Sequence, residues 1–271
     1  MIKRDISTIV PNELINYVSN GFDVVGDIAI LKFFGKVDTK YKRIIARVLM
    51  DRNKHIKSVF EKYGKIEGEE RVPKVKWIAG KRFGVTYHRE NGCTFKVDIR
   101  NVFFTPRLGN ERLRVANQVK SNEVVLDMFC GVGPYSILIA KRASEVYSID
   151  INKYSIDLLR ENIKLNKVSN VKVFNGDAKL IVPSFRKKFD RIIMNLPSDS
   201  EKFLNLAVKS LKPNGKIHLY KFVNMRDDKD LSEKLNMIKK HFNKKVRIEE
   251  FKCGEVAPNI LRMCFDISLL S

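Results

Sequence analysis

The stretch from Val124 to Tyr135, VVLDMFCGVGPY, decides the fold. Its apolar run ends at Asp127, and the chain then turns through Gly131 and Gly133. Pro134 follows at a position suited to the start of a helix, and the glycines allow a tight turn that a ligand can approach closely. The stretch therefore predicts a strand, a ligand-binding turn and a helix, in that order.

Four further apolar runs follow this stretch: VYSID, VKVFNG, RIIMNLP and KIHLYKF. Helical patterns separate them, for example Ser155 to Asn166 and Ser200 to Leu211. Strands that alternate with helices are typical of a doubly wound, mostly parallel sheet. We therefore predict an α/β, Rossmann-like domain over residues 106–271.

Residues 1–105 have a different pattern. They predict a short helix at Pro11 to Ser19, one strand from Asp23 to Phe34 and a helix from Lys40 to Asp51. Shorter strands are predicted near Ser58 to Tyr63, Lys74 to Ala79, Phe83 to His88 and Cys93 to Ile99. Because these strands do not alternate with helices, we predict a small α+β module that positions RNA or substrate.

The 271 residues carry a net charge of +21, with +9 in residues 1–105 and +12 in the remainder. A positive charge spread over both parts favours a polyanion such as RNA as the partner. No run of about 18 apolar residues predicts a membrane span. The four cysteines have no metal-ligand spacing, so we expect no metal site. We expect a cytoplasmic monomer with no membrane partner.

Acidic residues end three successive predicted strands: Asp127, Asp150 and Asp177. Asp150 lies 19 positions after Gly131, where nucleoside-binding folds hold the ribose hydroxyls. Ser136 replaces the third glycine of the dinucleotide pattern, and an acid before the turn disfavours a pyrophosphate. S-adenosyl-L-methionine fits better, because it is cationic and has no phosphate. Taken singly, Asp177 fits a turn or cap residue better, but as the third acid in this row it is predicted to contact the ligand.

Two other segments are candidates for the reaction site. Asn195-Leu196-Pro197 ends the fourth strand of the domain, and it is either a ligand contact or an ordinary entry into the next helix. Arg107 and Glu111 stand four residues apart, so they either form a surface ion pair or line a site between the two modules. Arg71, in a charged stretch that ends at Pro73, is either solvated or aimed at a ligand.

The chain resembles the archaeal and eukaryotic tRNA guanine-37 N1-methyltransferases, a class I family that uses S-adenosylmethionine. The resemblance covers about Gly21 to Ile267, and its segments include GKIEGEERVP, NVFFTPRLGNERLRVA, LDMFCGVGPYSI, MNLPSDS and EVAPNILRMCFDI. Many members of this family carry an extra N-terminal domain. Because only about twenty residues precede Gly21, we expect that domain to be absent.

The resemblance implies a role for each matching residue. Glu111 would be the general base for the guanine N1 proton, Arg71 would steady O6, and the anticodon stem-loop of tRNA would be the substrate. Pro197 and Arg107 would line the guanine site. The cofactor would be held by Arg112, Asp150, Ile151, Asp177, Ala178 and Asn195, and Asn195 and Pro197 would also serve the reaction. Asp127, Phe129 and Gly131 are added as predicted cofactor contacts because they lie in or next to the glycine turn.

Other functions remain open at this point. One is a wyosine-pathway activity on the same nucleoside, either aminocarboxypropyl transfer or C7-methylation of a tricyclic guanosine derivative. Another is an RNA-binding module without catalysis. A dinucleotide-dependent oxidoreductase is disfavoured by Ser136 and by Asp127 before the turn.

Overall fold

The computed structural model describes residues 6–7, 9–64, 68–243 and 245–270. The chain divides into two compact units, Met1–Arg107 and Leu108–Ser271. Within the described ranges, no helix is long and apolar enough to cross a membrane.

The first unit is built around a four-stranded sheet. Its described elements are α1 (Asn12–Ile15), β1 (Asp23–Val25), β2 (Ile28–Lys32), α2 (Thr39–Arg52), β3 (Ser58–Lys62), β4 (Val75–Gly80), β5 (Val85–Glu90) and β6 (Cys93–Asp98). The sheet has the order β1-β2-β3-β4, and β5 and β6 form a separate hairpin. The Asp38 side chain caps α2, which buries Ile45 and Leu49 in the core of this unit.

Three expectations for this unit were wrong. The strand predicted from Asp23 to Phe34 is a hairpin, because Gly26 adopts a φ of +56° and turns the chain so that Val25 pairs with Ile28. The first helix is shorter than predicted. The unit also contains one βαβ crossover, since β2 and β3 pair in parallel and α2 connects them.

The second unit contains the predicted Rossmann-like sheet. Its helices are α3 (Gly109–Ala116), α4 (Pro134–Ala140), α5 (Lys153–Leu165), α6 (Ala178–Ile181), α7 (Leu204–Ser210) and α8 (Asp230–Lys240). Its strands are β7 (Val124–Asp127), β8 (Glu145–Asp150), β9 (Val171–Asn175), β10 (Phe189–Met194), β11 (Leu211–Asn224), β12 (Val246–Ala257) and β13 (Ile260–Leu269). The strand order is β12-β13-β11-β10-β7-β8-β9; the two pairs that contain β13 are antiparallel, and the other described pairs are parallel.

The strand order reverses between β7 and β10. From β7 the chain adds β8 and β9 on one side, whereas β10 and β11 lie on the other. In open α/β sheets a ligand binds at such a switch point, beyond the carboxyl ends of the strands. The VVLDMFCGVGPY stretch leaves β7 at this point, so the fold places the predicted turn where a ligand site is expected.

The turn after β7 has little room for side chains. Gly131 and Gly133 have φ angles of +53° and +86°, and Pro134 opens α4 as predicted. A Cβ atom on Gly133 would lie 2.2 Å from Cδ1 of Leu159 on α5. The glycine therefore lets α5 pack directly against the turn.

We expect Gly133→Ala to lower the free energy of unfolding by about 2 kcal/mol or more, because it combines a strained φ with a clash in a packed core. Gly254→Ala is the matched control, since Gly254 has a φ of +122° but open space around its Cβ position. Urea titration of both variants measures the difference. Equal losses would mean that backbone strain alone, and not the contact with Leu159, requires glycine here.

Candidate active site

Asp150 organises the turn at the end of β8. One carboxylate oxygen accepts a hydrogen bond from the Gly131 amide at 2.7 Å, and the other accepts from the Asn152 amide at 2.9 Å. Asp150 therefore ties the glycine turn to the start of α5. Ile151 follows directly and remains 37% exposed, which leaves an apolar side chain beside the half-buried carboxylate.

Asp127 lies buried at the end of β7. Its Oδ2 accepts a hydrogen bond from the Ser136 hydroxyl at 2.7 Å, and Ser136 accepts one from Ser148. Its Oδ1 is buried and has no hydrogen-bond partner within the described part of the chain. Burial raises the pKa of Asp127 to about 7, and the nearby charge of Asp150 adds to the increase. The hydrogen bond from Ser136 acts in the opposite direction. The serine at the third-glycine position thus serves as a donor to this carboxyl group.

These features fit a cationic nucleoside better than a dinucleotide. The Asp150 carboxylate accepts hydrogen bonds from backbone amides at this turn. The Asp127 carboxyl has one buried oxygen without a hydrogen-bond partner among the described residues. A positive ligand would favour the charged form of both groups, whereas a pyrophosphate would be repelled by it. The residues present are therefore compatible with S-adenosylmethionine.

Three of the predicted cofactor contacts have structural roles in the protein. Asp177 caps α6 by accepting a hydrogen bond from the Lys179 amide at 2.8 Å, and Ala178 is buried at the first position of that helix. Phe129 packs edge-to-face against Phe203, with ring centroids 4.9 Å apart. Their contacts with a ligand remain predictions.

Glu111 is held in a buried polar cluster on α3. Its Oε1 accepts hydrogen bonds from the Tyr220 hydroxyl at 2.6 Å and from Arg114 Nη2 at 2.8 Å, and its Oε2 accepts from Arg114 Nε at 2.7 Å. The Tyr220 hydroxyl also lies 2.7 Å from the hydroxyl of Tyr135 on α4. Each carboxylate oxygen is thus oriented by a donor on a rigid element. Arg112, the next residue, is 1% exposed.

The cluster continues across the sheet through Asp266. Arg114 forks onto both oxygens of Asp266, at 2.8 and 3.1 Å, and His218 Nδ1 lies 2.6 Å from Asp266 Oδ1. Burial opposes ionisation of Asp266, but hydrogen bonds from His218 and Arg114 hold its pKa well below its usual range. Burial lowers the pKa of His218. On its other side, His218 Nε2 faces Arg191, which is paired with Glu123.

Sequence reasoning missed this network. Asp266 lies 152 residues from Arg114 and 48 from His218, so no local spacing signals the contacts. His218, Cys264 and Asp266 offer metal-ligating atoms within 4.8 Å of one another. Both ring nitrogens of His218 already face protein partners, and two guanidinium groups adjoin the cluster, so it is better described as a charge network than as a metal centre.

Asn195 and Pro197 follow β10 at the switch point and are half-buried. Met194, the last residue of β10, pairs with Leu219 on β11, and the next residue of β11 is Tyr220, whose hydroxyl donates a hydrogen bond to Glu111. The Asn195 carboxamide makes no hydrogen bond to any residue that the structure describes. Asn195 and Tyr220 thus each follow one member of the same strand pair.

Arg71 and Arg107 belong to the first unit. Arg71 is half-buried and has a φ of +54°, an uncommon and strained conformation for a residue with a long side chain. Arg107 is exposed and pairs with Asp23 at 2.5 Å. The ion pair considered for Glu111 is made with Arg114 instead.

Residues 86–249 match the model of the TRM5/TYW2 methyltransferase domain, and residues 2–83 match that of the TYW2 N-terminal domain. The chain belongs to the TRM5/TYW2 methyltransferase family. The resemblance inferred from the sequence segments is confirmed, and so is the class I Rossmann-like fold with a preceding α+β module.

Two curated relatives show where the chain stands in this family. It is 45% identical to tRNA (guanine(37)-N(1))-methyltransferase Trm5b of Pyrococcus abyssi, over 79% of this chain and 63% of that protein. It is 35% identical to tRNA 4-demethylwyosine(37)-methyltransferase Taw21 of Saccharolobus solfataricus, over 77% of this chain and 80% of that protein. The chain thus spans less than two thirds of the Trm5b relative.

Solved structures of both branches share the fold. A complex of aTrm5 with tRNALeu aligns with a TM-score of 0.87 at 34% identity, over 99% of this chain and 78% of that chain. Pyrococcus horikoshii TYW2 in complex with MeSAdo aligns with a TM-score of 0.77 at 28% identity, over 99% and 98% of the two chains.

The raised pKa of Asp127 predicts a pH dependence of stability. In the folded protein Asp127 keeps its proton up to about pH 7, whereas in the unfolded chain it loses the proton near pH 4. The folded state therefore binds more protons between these values, and the contribution of Asp127 to the free energy of unfolding decreases as pH rises. Asp127→Asn removes this titration. The stability of the natural protein relative to the variant should fall by up to about 1.4 kcal/mol per pH unit.

Urea titrations at pH 5, 6, 7 and 8 measure this difference. Asp228→Asn, at an exposed position, is the control and should give a profile parallel to that of the natural protein. A parallel profile for Asp127→Asn as well would contradict the assignment.

Proposed function

We propose that the protein transfers a methyl group from S-adenosylmethionine to N1 of guanosine 37 in the anticodon loop of tRNA. The observation that carries the proposal is the position of Glu111: it is a buried carboxylate oriented by Arg114 and by Tyr220, and Tyr220 lies on β11, the strand that pairs with β10. The function recorded for the Trm5b relative supports the same assignment.

Methylation of guanine N1 requires removal of the proton on that nitrogen. Guanine N1 keeps its proton at neutral pH, so a base has to take that proton as the N1–methyl bond forms, and the electrons of the broken N–H bond leave negative charge on O6. Glu111 would accept this proton, and its hydrogen bonds to two donors hold the carboxylate in one orientation while it does so. Asn195 has a free carboxamide that can hydrogen bond to the base and keep it in the reactive position.

Bound S-adenosylmethionine would supply an electrophilic methyl group on a sulfonium centre. Asp150 and Ile151 would hold its ribose and adenine, and ionised Asp127 would favour its positive charge from beneath the turn. Arg112, Phe129, Gly131, Asp177 and Ala178 complete the proposed cofactor site.

Arg71 would stabilise the negative charge that guanine O6 gains when N1 loses its proton. A guanidinium is suited to this role because it stays charged and presents several donors in a plane. The strained backbone of Arg71 supports a functional role for the residue. Arg107 and Pro197 would contact the nucleotide, and the distributed charge of +21 would attract the rest of the tRNA.

A second candidate is a wyosine-pathway activity on the same nucleoside. The match of residues 2–83 to the TYW2 N-terminal domain and the 80% coverage of Taw21 favour it. Either C7-methylation of a tricyclic guanosine derivative or aminocarboxypropyl transfer would use the same cofactor.

Mass spectrometry of tRNA nucleosides distinguishes these activities. The protein is incubated with methyl-labelled S-adenosylmethionine and either unmodified tRNA or tRNA that carries the tricyclic base. We expect labelled N1-methylguanosine from the first substrate. A labelled product only from the tricyclic base, or transfer of the aminocarboxypropyl group, would replace the first proposal by the second.

Single substitutions separate catalysis from RNA binding. We expect Glu111→Gln and Asn195→Ala to reduce kcat by about 10²-fold or more, and Arg71→Ala by about 10²–10³-fold, with little change in the dissociation constant for tRNA. Single-turnover kinetics and filter binding measure the two quantities. Glu233→Gln, at an exposed position on α8, is the control.

Parallel losses of turnover and tRNA affinity would mean that these residues only hold the RNA. In that case Glu111 could not be the proton acceptor.

A further inference from the structure

Arg262 has an unusual environment on β13. It pairs in register with Phe222 of β11, and its guanidinium carbon lies 5.6 Å from the centre of the Phe222 ring. Its Nε is buried without a hydrogen-bond partner, and the guanidinium makes no ion pair with any residue that the structure describes. Burial lowers the pKa of Arg262, as expected for a cation without a neighbouring carboxylate.

The two arginines of the buried network are held differently. Arg114 is paired with Glu111 and Asp266, and Arg191 with Glu123. Arg262 is half-buried, with its Nε away from water. A guanidinium that loses part of its hydration without gaining acceptors is costly. Arg262 therefore lacks the internal compensation that the other two possess.

The strand register places Arg262 on the ligand side of Glu111. On one face of the sheet, Asp266 pairs with His218, Cys264 with Tyr220 and Arg262 with Phe222. Along β11 this series runs toward the carboxyl end of the strand, where ligands bind in such sheets. Tyr220 donates a hydrogen bond to Glu111, and the Arg262–Phe222 pair lies two residues further along β11. Arg262 is therefore closer than the Tyr220 pair to the carboxyl end of β11.

We propose that Arg262 binds an anionic oxygen of a reactant in the candidate active site, either the carboxylate of S-adenosylmethionine or a phosphate of the RNA. A planar guanidinium can form two parallel hydrogen bonds with either group. The inference rests on the proposed function for the identity of the reactants. It concerns binding and not turnover, so the two can fail separately.

Arg262→Met and Arg262→Lys test the role, because methionine removes the charge and lysine keeps it without the planar fork. Arg247→Met is the control, since Arg247 lies on the adjacent strand, is exposed and pairs with Glu249. For each full-length variant, calorimetry measures the affinity for S-adenosylmethionine and for methylthioadenosine, which lacks the carboxylate. Filter binding measures the affinity for tRNA at several salt concentrations.

If the cofactor carboxylate is the ligand, Arg262→Met should weaken S-adenosylmethionine binding about tenfold or more and leave methylthioadenosine binding unchanged. If an RNA phosphate is the ligand, tRNA binding should weaken to a similar extent, and the slope of log affinity against log salt should fall by about one. In either case Arg262→Lys should recover part of the loss.

The stability of the variant provides a second readout. Arg262→Met should unfold at a urea concentration no lower than the natural protein, because it removes a half-buried charge that pairs with no carboxylate among the described residues. A clear loss of stability, equal losses for S-adenosylmethionine and methylthioadenosine, or affinities that all match those of Arg247→Met would overturn the inference. A protein that shows the Arg262 effect but makes no labelled N1-methylguanosine would sustain the inference and refute the proposed function.

Discussion

The position of Glu111 depends on the fork of Arg114. This guanidinium joins the carboxylate of Glu111 on α3 to that of Asp266 on β13, and it lies 3.8 Å above the ring of Phe251. Burial opposes its charge, but hydrogen bonds to the two carboxylates raise the pKa of Arg114. Without this cation, the buried carboxylates of Glu111 and Asp266 would lose the partner they share, which would destabilise the contact between α3 and the sheet. The same interaction therefore anchors the helix and orients the proposed proton acceptor.

The glycine turn after β7 is a second constraint on the structure of the site. Asp150 ties the Gly131 amide to the start of α5, and the lack of a side chain at Gly133 lets Leu159 pack against the turn. Acidic groups consequently gather at one edge of the sheet in a protein whose net charge is +21. A distributed basic surface and a local acidic edge suit two different ligands, a polyanion outside and a small cation within.

Short sequence patterns predicted the elements that depend only on neighbouring residues. The turn after β7, proline at the start of α4 and the alternation of strands and helices in the second unit depend on neighbouring residues, and the structure contains all of them. The hairpin at Gly26 was missed because apolar residues stand on both sides of Gly26 and Asp27, so the two turn residues were read as part of one strand. The parallel pairing of β2 and β3 was missed because strand direction depends on how α2 packs.

The sequence by itself determined the order of the Rossmann-like elements, the three acids at strand ends and the family to which the chain belongs, because each is carried by short contiguous motifs. Only the tertiary structure decided that Asp177 caps a helix, that Ser136 donates to Asp127, and that Glu111 pairs with Arg114 and not with Arg107. It also placed the unpaired Arg262 beside Phe222. The reason is physical: a buried charge selects its partner by distance and desolvation in the folded core, and those partners can be more than a hundred residues away in the chain.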